Sequence, residues 1–134
     1  MTFALDPILA NDTTAVTTLP LCRVLLMRDA RYPWLILVPA RDGLEEISDL
    51  GRDDRTMLMD EIERAASALT RLYAPTKINV GALGNVVRQL HVHVVARSEG
   101  DPAWPGPVWG HSPAEPYGDD ALDARIREIA DALT

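Results

Sequence analysis

Cysteine is almost missing. The 134-residue chain has one, Cys22, so it can form no intramolecular disulfide. Cys22 lies in the apolar run Leu21-Cys22-Arg23-Val24-Leu25-Leu26-Met27, where a buried, inert thiol is expected rather than a nucleophile. Both points favour a reducing, cytoplasmic setting. Basic charge is scarce as well. Thirteen Lys and Arg face twenty Asp and Glu, for a net charge of −7. That excludes the basic footprint of nonspecific nucleic-acid binding. A small phosphorylated ligand stays open, because its site needs only a few local donors, and backbone N–H groups serve. Lys77 is the only lysine, a bias of composition rather than of function. No stretch reaches the roughly 20 apolar residues of a membrane span. The N-terminus carries Asp6 and Asp12 and no basic n-region, so no secretory signal is expected there. Repeats and low-complexity tracts are absent.

What is present is ordinary for a globular protein. Apolar residues make up 47% and charged residues 25%, the balance of a folded core with a polar surface. The length suits one domain over residues 1–134 and is too short for two. Asp6 followed by Pro7 predicts a capped, short N-terminal helix. The β-branched Thr13 to Thr18 stretch, ending at Pro20, predicts a strand. Residues 1–19 thus supply one helix and one strand. Two more strands, in 21–29 and 34–40, flank the turn-like Asp29-Ala30-Arg31-Tyr32-Pro33 and predict an antiparallel hairpin.

Residues 53–73 give the clearest helix. Leu58, Ile62, Ala66, Leu69 and Leu72 recur at steps of three or four. Asp53 or Asp54 is its expected cap and Pro75 its stop. Strands follow at 77–83 and 89–97, joined near Gly84-Asn85. Residues 98–117 hold five prolines and two tryptophans, which rules out regular structure. They predict a loop packed by Trp104 and Trp109, acting either as a pinned cover or as a lid or dimer arm. Residues 119–133 close the chain as a helix with Leu122, Ile126, Ile129 and Leu133 on one side. Short links between strands favour an antiparallel sheet of about five strands with the long helix across one face, an α+β domain.

The sequence Gln89-Leu90-His91-Val92-His93-Val94-Val95-Ala96-Arg97 carries the chemistry. Alternate strand residues share a face. Gln89, His91 and His93 therefore point one way, and Leu90, Val92 and Val94 point into a core. Side chains two residues apart lie roughly 6 to 7 Å from each other, so two imidazoles can reach one phosphate-sized group. A His-x-His pair also suits zinc if a third ligand exists. His111, Glu99 and Asp101 are the candidates, but no Cys pair or His-Glu-x-x-His pattern supports a metal.

These residues resemble the signature of the histidine-triad (HIT) family of nucleotide hydrolases and transferases, His-φ-His-φ-His-φ-φ with φ apolar. Six of the seven positions fit, and Gln89 stands for the first His. Asn79, before a Gly-containing turn, and the 31–50 hairpin are similar to further family features. The resemblance covers roughly residues 20–110. It implies that His91 attacks a nucleotide α-phosphorus to form a nucleotidyl-histidine, which water or another acceptor resolves. It implies no cofactor and no obligatory metal. It gives His93, Asn79, Asn85 and Gly84 to the phosphate and nucleotide, with Gln89 beside them, and it implies a homodimer.

The departures are specific. Val86 stands where the family often has a Ser or Thr hydroxyl. Asp42 stands where a His often follows the hairpin, and an Asp42–Gln89 contact is the expected substitute. Gln cannot shuttle a proton as His does, so leaving-group protonation is the step that Gln89 alters. Arg97 lies on the histidine face but is expected in solvent, as is Arg88 on the other side. His111 and Trp109 are further candidates for the pocket. The reading is a hydrolase or transferase acting on a phosphoramidate or dinucleoside polyphosphate. The alternative is a catalytically weak nucleotide-binding protein, and a purely structural domain would bind no nucleotide.

Overall fold

A computed structural model describes residues 2–134. The elements run α1 (Pro7–Asp12), β1 (Thr13–Thr18), β2 (Cys22–Met27), β3 (Trp34–Pro39), a 3-10 turn (Ile47–Asp49), α2 (Arg52–Tyr73), β4 (Lys77–Gly81), β5 (Val92–Arg97) and α3 (Asp119–Leu133). The strands form one antiparallel sheet in the order β1-β2-β3-β5-β4. β5 inserts between β3 and β4, so its six residues are buried on both faces. That explains its near-continuous Val-rich sequence.

α2 and α3 cover one face. Val24, Leu26, Leu35, Leu37, Val92 and Val94 of the sheet meet Leu58, Ala65 and Leu69 of α2 and Ile129 of α3. The opposite face carries Leu25, Trp34, Ile36, Val38 and Val95, and is covered by Leu9 of α1 and by Val87, Ala103 and Val108. The 98–117 loop is thus a cover on the sheet's second face.

The expected hairpin, the Asp6 cap of α1 and the C-terminal helix all form. Asp6 accepts a hydrogen bond from the Ile8 amide at 2.8 Å. The expected cap of α2 and start of β5 need correction. α2 is capped at Gly51, with no side-chain cap. Asp53 and Asp54 sit inside its first turn, where carboxylates favour the helix dipole. The helix ends with Ala74 in the left-handed conformation, at φ 44°, ahead of Pro75. β5 begins at Val92, so Gln89, Leu90 and His91 lead into the strand rather than belong to it.

The buried face of α2 is also rotated from the Leu58–Leu72 stripe. Its centre includes Glu61, which is 2% exposed, while Ile62, Ala66 and Leu72 are only partly buried. Glu61 accepts the backbone N–H groups of Leu21 and Cys22, both at 2.8 Å, where the chain turns into β2. These partners lie 40 and 39 residues away. Cys22 is buried as expected, and burial, then the Glu61 charge beside it, pushes its thiol far above its ordinary pKa. Glu61→Gln keeps one acceptor and turns an NH2 toward an N–H. It should cost about 1 to 2 kcal/mol in urea unfolding, and an unchanged midpoint would show that the two bonds contribute nothing net.

Candidate functional site

Two imidazoles meet where the chain enters β5. Leu90 and Val92 face the helix core, which turns His91 and His93 to the other face. Their ring centroids are 5.1 Å apart, edge to face. They are only 7% and 6% exposed, yet both line a cleft of about 350 Å³. Each ring has one nitrogen engaged. His91 Nδ1 lies 2.6 Å from the Gln89 carbonyl oxygen. His93 Nδ1 accepts from the Trp34 indole Nε1 at 3.0 Å. Burial first, and the neighbouring His91 second, pull the His93 pKa down to about 4.

Apart from Asp12 and Asn85, the rest of the cleft is apolar, and it carries no Lys or Arg among the described residues. Ile36 and Val87 form its floor, and Ile8, Leu83 and Val86 are exposed at its rim. Trp109 closes one side, edge-on to His93 at 5.4 Å. Its indole lies over Gly81, where an added Cβ would come within 3.1 Å of Trp109 Cη2. β4 carries glycine there because the indole needs the space. The turn at Gly84 (φ 74°) forms the remaining wall with Asn85. None of the described backbone hydrogen bonds outside the strands and helices is donated by Gly84, Asn85, Val86 or Val87. Past Asp12, Met27 and Trp34 the cleft continues into a depression of about 410 Å³ that adds Asn11, Arg28 and Ser112.

Gly84, Asn85, His91, His93 and Trp109 are therefore brought together. The other sequence candidates have different surroundings. Gln89 spends its amide on the N-terminal segment, accepting from the Asp6 N–H at 2.8 Å and donating to the Ala4 carbonyl at 2.9 Å. No described hydrogen bond links it to Asp42, which is exposed. Arg97 is 1% exposed rather than solvated. It pairs with both Asp101 oxygens at 2.9 Å and donates to Asn79 Oδ1 at 2.9 Å. Its guanidinium also faces the Tyr32 and Trp104 rings. Asn79 is thus held on the histidine face but outside the cleft lining. His111 is exposed on its loop and bonded to Ser112. Among the described residues no three His, Cys, Asp or Glu side chains are placed to hold a metal.

Trp34 was missed. Ile36 pairs directly with His93 and Trp34 with Val95, so Trp34 and His93 are diagonal neighbours on one face, within reach of an aromatic side chain. That relation exists only once the β3–β5 register is known.

The model of the HIT domain family matches residues 9–100. A histidine-triad protein from Sinorhizobium meliloti is similar at 48% identity, over 98% of this chain and 97% of its own, with a TM-score of 0.95. One from Bradyrhizobium japonicum is 40% identical over all of both chains, with a TM-score of 0.98. A third, from Marinobacter aquaeolei, is 41% identical over 99% of this chain and 97% of its own, with a TM-score of 0.96. No curated protein matches the chain. The family match over more than half the chain and the three full-length likenesses agree with the sheet order and the paired histidines, and the chain belongs to the histidine-triad family, whose members at family level are nucleotide-binding hydrolases and transferases.

Proposed function

We propose that the protein cleaves a nucleotide conjugate at its α-phosphate, a phosphoramidate or a dinucleoside polyphosphate, through a nucleotidyl-histidine at His91. The observation that carries this reading is the His91 Nδ1 contact with the Gln89 carbonyl at 2.6 Å. A carbonyl oxygen only accepts, so Nδ1 carries the hydrogen and Nε2 keeps its lone pair. The Nε2 lone pair attacks phosphorus, the bond to the leaving group breaks, and that group departs with the electron pair and takes up a proton. Water then attacks the phosphorus and gives up a proton to solvent, the bond to Nε2 breaks with its electron pair returning to the ring, and the nucleoside monophosphate leaves a restored imidazole.

The amides of Gly84 to Val87 and the His93 ring are the groups available to the phosphate oxygens, since no cation among the described residues lines the cleft. Successive N–H groups at a glycine turn make an anion cradle. This takes over the contact that a hydroxyl at position 86 would make. Gln89 faces His91 Nδ1 with its backbone carbonyl and anchors the N-terminal segment with its side chain. A homodimer belongs to the same reading. β4 is an edge strand and bears Val80, 50% exposed, and a sedimentation mass of one chain would count against the dimer.

The test is turnover of an adenosine phosphoramidate and of a dinucleoside polyphosphate, with AMP binding measured in parallel. Turnover of either, with a transient AMP adduct on the protein, supports the proposal. AMP binding without turnover would make this a binding protein, and neither would remove the nucleotide reading.

A further inference from the structure

His91 and His93 differ in what their Nδ1 atoms face. His91 Nδ1 faces a carbonyl oxygen, and His93 Nδ1 faces the indole N–H of Trp34 at 3.0 Å. An indole N–H has a hydrogen to give and no lone pair to accept with. The nitrogen it reaches must therefore present a lone pair. A neutral imidazole with an unprotonated Nδ1 carries its one hydrogen on Nε2. We propose that Trp34 is a positioning residue, whose indole N–H holds His93 as the Nε2–H tautomer so that His93 meets the phosphate only as a hydrogen-bond donor.

The two histidines then divide the work. His91 offers a lone pair at Nε2, and His93 offers a hydrogen at Nε2. A second lone pair aimed at the phosphate would repel its oxygens. An imidazolium at position 93 would set its Nδ1–H against the indole N–H, donor to donor. The position of Trp34 makes this arrangement rigid. It is 7% exposed in β3, one diagonal step from His93, with Tyr32 edge-on at 6.2 Å. The charged and titratable groups around His93 do not compete for Nδ1. His91 lies on its own segment. Arg97, farther along β5, is held by Asp101 and Asn79. α1 brings Asp12 to the cleft wall, the loop brings Trp109 and Gly110, and β4 brings Gly81 opposite. Burial of the ring, which holds its pKa low, favours the same neutral form.

The donor's target rests on reading the cleft as a phosphate site, but the tautomer does not. Ring-nitrogen NMR on 15N-histidine protein without ligand, near neutral pH, reads it directly. His93 should show an unprotonated Nδ1 and a protonated Nε2, and His91 the reverse. Trp34→Phe keeps an aromatic ring and removes the donor. In that variant His93 should become a tautomer mixture, its pKa should rise, and AMP affinity should fall about fivefold, the scale of one neutral hydrogen bond. A protonated Nδ1 on His93 in the unmutated protein would overturn the proposal. So would an undiminished Nε2–H tautomer in folded Trp34→Phe. If that variant does not fold, the unmutated spectrum still decides. The expected tautomers without AMP binding would leave the role of Trp34 standing and remove the phosphate reading instead.

Discussion

His91→Ala should abolish turnover, lowering kcat/KM by about 10⁴-fold or more, the scale set when a nucleophile is deleted. The proposed route makes and breaks its covalent bond at His91 Nε2, and no other described side chain at the cleft duplicates it. Asp12 is the one carboxylate of the wall. His93 has its Nδ1 occupied by Trp34 and its pKa drawn down to about 4 by burial and by His91. His93→Ala removes a phosphate contact but not the bond-forming atom. It should cost about 10²-fold, typical of one stabilising donor. AMP should still bind His91→Ala, because the Gly84–Val87 turn and the apolar walls remain. Steady-state kinetics on the preferred conjugate, with AMP titration of each variant, separates these cases. A His91→Ala enzyme within tenfold of the parent would end the covalent reading.

Much of this was legible in the sequence because it depends on local rules. The Asp6-Pro7 start, the hairpin and the 119–133 helix follow from caps, turns and periodicity, and they form as expected. The alternation that puts His91 and His93 on one face needs only the strand period. Gly84 and Asn85 were likewise placed by a glycine turn next to the motif. What stayed hidden depends on register and long-range partners. Gln89 binds a segment 83 and 85 residues away, and nothing near it in sequence announces that. Arg97 looked like a solvated end of strand, because its partner Asp101 lies in a Pro-rich loop whose path no periodicity predicts. The contact of Trp34 with His93 exists only once β5 is paired beside β3. Glu61 likewise bonds to amides 40 and 39 residues away.

Asp101→Asn should destabilise the fold by about 3 kcal/mol or more, because breaking a buried pair leaves the other charge without compensation. The side chains of Arg97 and Asp101 are 1% and 9% exposed, and the pairing is two-pronged. Asp101 also accepts the amides of Ser98 and Trp104, at 3.2 and 2.8 Å. It therefore holds the start of the loop that carries Trp109. A second clasp holds the far end, where Asp29 accepts from Arg31 Nε and Nη2 and from the Glu115 amide. Losing the first clasp should loosen the Trp109 wall beside His93, so KM should rise in this variant more than kcat falls. The pH dependence carries a sign. Burial works to raise the Asp101 pKa, but the Arg97 hydrogen bonds and the two amides outweigh it and hold the carboxyl below its usual range. The folded state then binds the proton less tightly than the unfolded chain. This stabilisation is complete above the ordinary Asp pKa of about 4 and is lost as pH falls through the depressed folded value. The gap between parent and Asp101→Asn in urea unfolding should be full at neutral pH and shrink toward pH 3. The double variant Arg97→Met/Asp101→Asn should recover part of the loss, since it removes the unpaired charge and keeps an amide oxygen for the Ser98 and Trp104 N–H groups. A single-variant loss under about 1 kcal/mol, the range of an exposed pair, would show that this ion pair does not hold the loop.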